Sequence, residues 1–191
     1  MQPFSPLLLV AHTEELQVFQ MGTESSDDLR ELAEAGDSTL IRQTLGNTDN
    51  LSYLCGLAEG SGPLAPGASE TITITVDGDR CADGARFSMA SMLGNTNDAF
   101  FGINSMELET EFSSTIDAPA LDAGTEVNNE LCTHVPGPAC DETSGNQMGG
   151  PVEGFIHVHR GIRGVGDLSA DDYAWINPVA AIFISEPTYE S

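Results

Sequence analysis

The stretch Thr71-Ile72-Thr73-Ile74-Thr75-Val76 is six β-branched residues in a row, hydroxyl-bearing and aliphatic in strict alternation. Branching at Cβ stiffens χ1 and suits a pleated backbone better than a helix. A period of two puts Ile72, Ile74 and Val76 on one face and the three threonines on the other. The stretch therefore predicts a half-buried strand, and Pro63, Pro66 and Gly67 punctuate its approach. Working outward, Pro6–His12 reads as a buried strand and Glu15–Met21 ends in a short one. Phe87–Leu93, Phe100–Leu108, Phe112–Leu121 and Phe155–His159 are further strands, and Pro178–Ser185 is a continuous apolar one. Many short strands separated by turn signals predict an all-β fold of the sandwich type. The interruption is helical. Ser25-Ser26-Asp27-Asp28 is a cap cluster, Leu29, Leu32 and Ala33 follow at helical spacing, and Gly36 closes the turn. A second short helix runs to Leu45, so one or two short helices are expected near residues 25–46. Residues 126–151 form a long Gly-, Pro- and Asn-rich loop, of the kind that carries function or lacks order.

Thirty acidic residues face six basic ones, a formal net charge of −24. Such a surface repels phosphate backbones, so no nucleic-acid partner is expected. The acidity has two readings: a solvated surface, and a site for a hard cation, which takes carboxylate oxygens. No apolar run is long enough to span a membrane. Leu7-Leu8-Leu9-Val10 is too short for a signal-peptide core and follows no basic residue.

Four cysteines occur without a CxxC pair or zinc-finger spacing. Two disulfides, Cys55–Cys81 and Cys132–Cys140, are the expected pairing among three possible ones, and imply an oxidising, extracellular setting. Four buried thiols in a cytosolic protein are the other reading.

Enzyme signatures are missing: there is no G-x-S-x-G, no P-loop and no H-E-x-x-H. Gly161 to Gly166 is glycine-rich but is no dinucleotide fingerprint, and Asp77 to Gly84 fails the EF-hand spacing. His157 and His159 form an H-x-H whose rings share one strand face, which suits a transition metal, with His12 as a third ligand from a neighbouring strand. The alternative is that all three are structural, hydrogen-bonded histidines. Asn95-Thr96-Asn97-Asp98 and Leu121-Asp122-Ala123-Gly124-Thr125-Glu126 place carboxylates and amides on loops after strands, which suits a cation with many oxygen ligands.

Several segments, in order, resemble a bacterial spondin domain. They are Phe4-Ser5-Pro6 through His12, Leu64-Ala65-Pro66-Gly67, Ser88 to Leu93 followed by Asn97-Asp98, and Asp122 to Glu126. Gly154 to Gly161 and Trp175 to Val179 complete the set. The resemblance implies a single domain over residues 1–191, an antiparallel C2-like β-sandwich of about eight strands. It also implies a Ca2+ site, with Asp98, Asp122 and Glu126 at the matching positions. Glu126 stands where the animal pattern has aspartate. The family pattern usually opens with a strand before Phe4, which is missing at Met1-Gln2-Pro3. A truncated start would account for this, and so would a strand supplied by another chain.

Three functions follow as expectations. The first is a secreted, non-catalytic, calcium-binding adhesion or matrix module that binds proteins or cell-surface components. The second is a structural subunit of a homo-oligomer or filament joined by strand complementation, in which the tail Ser185–Ser191 could take part. The third is a metal-dependent enzyme using His157 and His159.

Overall fold

A computed structural model describes residues 2–47, 49–82, 84–107, 113–140 and 151–185. Its elements, in chain order, are β1 (Leu8–His12), α1 (Asp27–Ala35), α2 (Thr39–Leu45), β2 (Leu54–Glu59), β3 (Arg86–Met92) and β4 (Ala99–Glu107). They continue with β5 (Ser113–Ala118), β6 (Ala120–Asp122), β7 (His157–Val158), α3 (Ala170–Tyr173) and β8 (Ala180–Ser185). Six strands form one antiparallel sheet in the order β2-β1-β3-β4-β6-β7, and β5 pairs with β8 in a second, smaller sheet. The fold is an all-β antiparallel sandwich with α1 and α2 laid on one side.

The unbroken apolar run of β1 is explained by burial of both its faces. Leu8 and Val10 join one core with Leu29, Leu32 and Ile41 of the helices and Phe100 of β4. Leu7, Leu9 and Ala11 point the other way, into a core with Phe87, Met89, Phe101 and Ile182, lined by Ile72, Ile74 and Val76. The large sheet is thus covered by α1 and α2 on one face and by the second sheet on the other.

Helix α1 begins where the sequence placed it. The Ser26 hydroxyl accepts from the Leu29 N–H at 3.4 Å, and Gly36 closes the helix at φ +69°. Both expected disulfides form, Cys55–Cys81 and Cys132–Cys140.

Four strand expectations are corrected. Residues 15–21 form turns, and Val18 N–H donates to Asn104 Oδ1 instead of to a ladder. Phe112–Leu121 is two strands in different sheets: Pro119, with no N–H to offer, stands between β5 and β6. Only His157 and Val158 of Phe155–His159 join the sheet. Thr71–Val76 has the alternating burial of a strand yet lies in no ladder among the described residues. The pattern gave no sign of β2, whose Gly56 and Ala58 blur its alternation. Phe112 and residues 141–150 and 186–191, hence the tail of the complementation idea and much of the long loop, lie outside the described residues.

Gly102 sets the closest approach in the sheet, since a Cβ there would meet the Met89 carbonyl oxygen at 2.3 Å and the Phe19 ring at 3.0 Å. Backbone cannot yield as a side-chain tip can. Gly102→Ala is therefore expected to cost about 1–3 kcal/mol, read as a lower midpoint in urea denaturation.

Candidate functional site

β4 and β6 run antiparallel with Ala99 opposite Asp122, so Asp98 and Asp122 emerge at the same end of the sheet. The chain then turns through Gly124 at φ +70°, where a Cβ would meet the Phe155 backbone at 2.5 Å; only glycine fits. This turn returns the next two residues to Asp98. Its Oδ2 accepts from Thr125 N–H at 2.7 Å, Thr125 Oγ1 at 3.1 Å and Glu126 N–H at 3.0 Å. The segment Asn95–Asp98 is no solvated turn: all four residues are buried. Asn95 Oδ1 accepts from Ala139 N–H at 2.8 Å, and Thr96 Oγ1 accepts from Ala99 N–H at 3.2 Å.

The carboxylates at this end are treated unequally. Asp98 is 0% exposed and Asp122 and Glu126 are each 1% exposed. Asp122 is satisfied, its Oδ1 by Gly124 N–H at 2.8 Å and its Oδ2 by Asn128 Nδ2 at 2.6 Å. Glu130, on the same loop, accepts backbone N–H groups of Arg163 and Val165 at 2.7 and 2.8 Å. Asp98 Oδ1 and both oxygens of Glu126, by contrast, are buried without a donor at full hydrogen-bond geometry, the Asn97 amide only easing the charge on Glu126. Glu34, in the last turn of α1, adds a fourth such oxygen, Oε1.

Burial first, and then the Asp122 carboxylate, push the Asp98 carboxyl up to about 7. Glu126 is pushed up to about 8, by burial first and then by Glu34 and Asp98. Burial also raises Glu34 and Asp122. Buried carboxylates without donors or cations are costly. Glu34 also sits at the negative end of its helix, where a cation is favoured and no basic residue stands.

Asp98 and Glu126 are therefore close together, and Asp122 stands beside them with its own oxygens occupied. Glu34 was missed because it reads as an ordinary helix residue. The one signal for it was an acidic residue in a last helical turn. Among the described residues, no three His, Cys, Asp or Glu side chains stand close enough about one point to hold an ion as they are. A cation here would draw the loop carboxylates inward or use backbone and amide oxygens as well.

The histidines divide. His157 and His159 do share a face, with Nε2 atoms 3.8 and 3.9 Å from Asp122 Oδ2. His159, however, has no nitrogen to spare: its Nδ1 accepts from Gly161 N–H at 2.9 Å and its Nε2–H donates to Asn128 Oδ1 at 2.7 Å. Burial lowers it to about 4, so it is neutral. Asn128 thus links His159 to Asp122 and fixes the carboxylate. His12 is corrected: three strands separate β1 from β7, so it cannot join the pair. Its Nδ1–H donates to Thr13 O at 2.7 Å and its Nε2 takes the Ser88 hydroxyl at 2.8 Å, a structural role in the sheet.

The spondin N-terminal family model (Spondin_N) matches residues 1–131, and no curated protein matches the chain. The chain belongs to the spondin N-terminal domain family. It is in general terms an extracellular matrix- or adhesion-type module. β7 and β8 lie beyond the matched residues, yet pair with β6 and β5 inside them. Among the described residues, no helix is long and apolar enough to cross a membrane.

Proposed function

We propose that this spondin-family chain is a secreted, non-catalytic adhesion or matrix module whose loop end is organised by a calcium ion. The observation that carries the reading is four carboxylate oxygens, Glu34 Oε1, Asp98 Oδ1 and both of Glu126, buried at one end of the sheet without a donor at full hydrogen-bond geometry. Oxygen-only donors of this hardness suit calcium over softer metals. Asp98, Glu126 and Glu34 would hold the ion. Asp122, clamped by Asn128, would stand beside it and add negative charge. Calcium supplies the neutralising charge that lets the loops 95–98 and 123–126 stay folded around buried acids. Two disulfides support an oxidising destination. The rest of the acidity is a solvated surface, which favours proteins or cell-surface components over nucleic acid.

Calorimetric titration of calcium into metal-stripped protein tests this. One ion per chain is expected, with magnesium much weaker, because magnesium gives up its waters reluctantly. Asp98→Asn is expected to abolish the heat and Glu34→Gln to weaken binding at least tenfold. In calcium-free solution, Asp98→Asn should be no less stable than the wild type, since it removes a buried charge. Absence of both heat and any rise in Tm for the wild type would discard the site.

A further inference from the structure

Asp122 and His157 are opposite partners across β6 and β7, so their side chains leave the same face of the sheet. The His157 ring is already oriented. Its Nδ1–H donates to Phe155 O at 3.2 Å, which leaves Nε2 of the neutral ring as a lone pair. That nitrogen faces Asp122 Oδ2 at 3.8 Å. The separation lies beyond ordinary hydrogen-bond reach, which ends at about 3.2 Å. Zinc-class ions bond imidazole nitrogen and carboxylate oxygen at about 2.0–2.2 Å. Two such bonds to one ion span 3.8 Å at a bent angle.

Asp122 is held rigidly for such a role. Its Oδ1 takes Gly124 N–H at 2.8 Å, and its Oδ2 takes Asn128 Nδ2 at 2.6 Å with a second lone pair left over. Asn128 is fixed in turn by His159 Nε2–H, which donates to its Oδ1 at 2.7 Å. Ligating carboxylates are normally oriented by outer hydrogen bonds of this kind. The same Asn128 amide nitrogen lies 3.5 Å from Glu153 Oε1, so a second carboxylate stands beside Asp122. Glu153 Oε2 is buried without a hydrogen-bond partner. Among the described residues, no arginine comes within ion-pair distance of either carboxylate. Neighbouring carboxylates with a buried, unpartnered oxygen are costly unless a cation joins them.

We infer that His157 Nε2, Asp122 Oδ2 and Glu153 Oε2 bind one zinc-class divalent ion, at a site separate from the one proposed for calcium. The three do not surround one point as they stand. The sheet sets His157 and Asp122, and Glu153 completes the set by turning its own side chain, which Asn128 holds only at 3.5 Å. An imidazole ligand selects a transition ion over calcium, which takes oxygens. His159 is no ligand, because both its ring nitrogens are engaged; it orients Asn128. The His157 side chain is 23% exposed, so the ion enters from solvent and keeps water at its remaining positions. Bound there, it ties residues 153–157 to the end of β6. The calcium ligands proposed above, Asp98, Glu126 and Glu34, are not among these three, so either site can fail alone.

The test titrates zinc chloride into the full chain by calorimetry, with calcium present in excess. Saturable one-to-one binding is expected. His157→Ala should abolish it and Glu153→Gln should weaken it at least tenfold, while both variants keep the calcium binding of the wild type. His134→Ala, at a half-buried histidine elsewhere, should leave zinc binding unchanged. Cobalt(II) in place of zinc should give visible absorption bands that His157→Ala removes. Nitrogen-15 NMR of the unaltered protein reads the ligand without any variant: zinc should shift His157 Nε2 and calcium should not. No zinc binding, zinc binding that survives His157→Ala, a His157 Nε2 resonance that zinc leaves in place, or displacement of zinc by calcium one for one would each overturn the site. Zinc binding in a chain that takes up no calcium would support it and discard the calcium reading.

Discussion

In calcium-free buffer the protein is expected to be more stable near about pH 5 than near about pH 8, the reverse of what a paired carboxylate produces. Asp98 and Glu126 are held up to about 7 and about 8 in the folded chain. Their unfolded counterparts ionise near about 4. Between those limits the folded state binds more protons than the unfolded state, so unfolding becomes easier as pH rises. The contribution is complete below about pH 4 and is lost as pH climbs through the folded values. Asp122 and Glu34, also raised by burial, act in the same direction, while His159 and His12, both lowered by burial, act against it below about pH 6.5 and offset part of the effect. Together the carboxyls are worth on the order of several kcal/mol, since each tenfold change in proton affinity is about 1.4 kcal/mol. Calcium is expected to invert the order. It must displace those protons, so its affinity should rise from about pH 6 to about pH 8. At a hundredfold excess over Kd it should add about 2.7 kcal/mol, which is about 5–11 °C in Tm for a chain of this size. Thermal denaturation across pH, with calcium and with a chelator, checks both halves. A calcium-free Tm that rises from about pH 5 to about pH 8 would contradict the burial of these acids.

Loss of the Cys55–Cys81 bridge is expected to be the most damaging covalent change. It closes a separation of 26 residues, against 8 for Cys132–Cys140. By loop entropy these correspond to about 3.5 and about 2.5 kcal/mol. Cys55→Ala with Cys81→Ala should therefore lower Tm by about 7–14 °C, and more than the paired change at Cys132 and Cys140. The larger loop contains Pro63–Val76, a wall of an apolar groove that no ladder among the described residues holds in place. Besides stability, the bridge should govern exchange protection in Thr71–Val76, which would fall first when it is removed. Differential scanning calorimetry of both double variants under oxidising conditions gives the order of the two effects. The opposite order would show that native contacts, and not loop length, set the worth of the bridges.

Much of the architecture could be read from local pattern. The caps of α1, the two-sided burial of β1, and the strands β3, β4 and β8 all follow from periodicity and turn residues, because those signals act within a few residues. The misses have a common cause. Phe112–Leu121 looks like one strand, but Pro119 sends its halves to different sheets, which depends on what each half packs against. Thr71–Val76 has an ideal strand pattern and no ladder, because pairing needs a neighbour in register and pattern guarantees only a face. Leu54–Glu59 has a weak pattern, yet it pairs along β1 as the edge strand of the large sheet.

The candidate site divides in the same way. The residues alone marked Asp98, Asp122 and Glu126 as acids on loops, and family resemblance singled them out from the other carboxylates. The sequence could not say which oxygens would be left without donors. That depends on the turn at Gly124 delivering two N–H groups to one oxygen of Asp98 and none to Glu126. Nor could it bring Glu34 to the same place, since only the packing of α1 on the sheet does so. The sequence by itself determined the strand faces, the helix caps and the acidity, because these rest on local geometry and composition. Tertiary structure decided the donors at each buried oxygen and the separation of His12 from His157 and His159. Each of those is a relation between segments far apart in the chain, where hydrogen-bond geometry and burial, not pattern, set the energy.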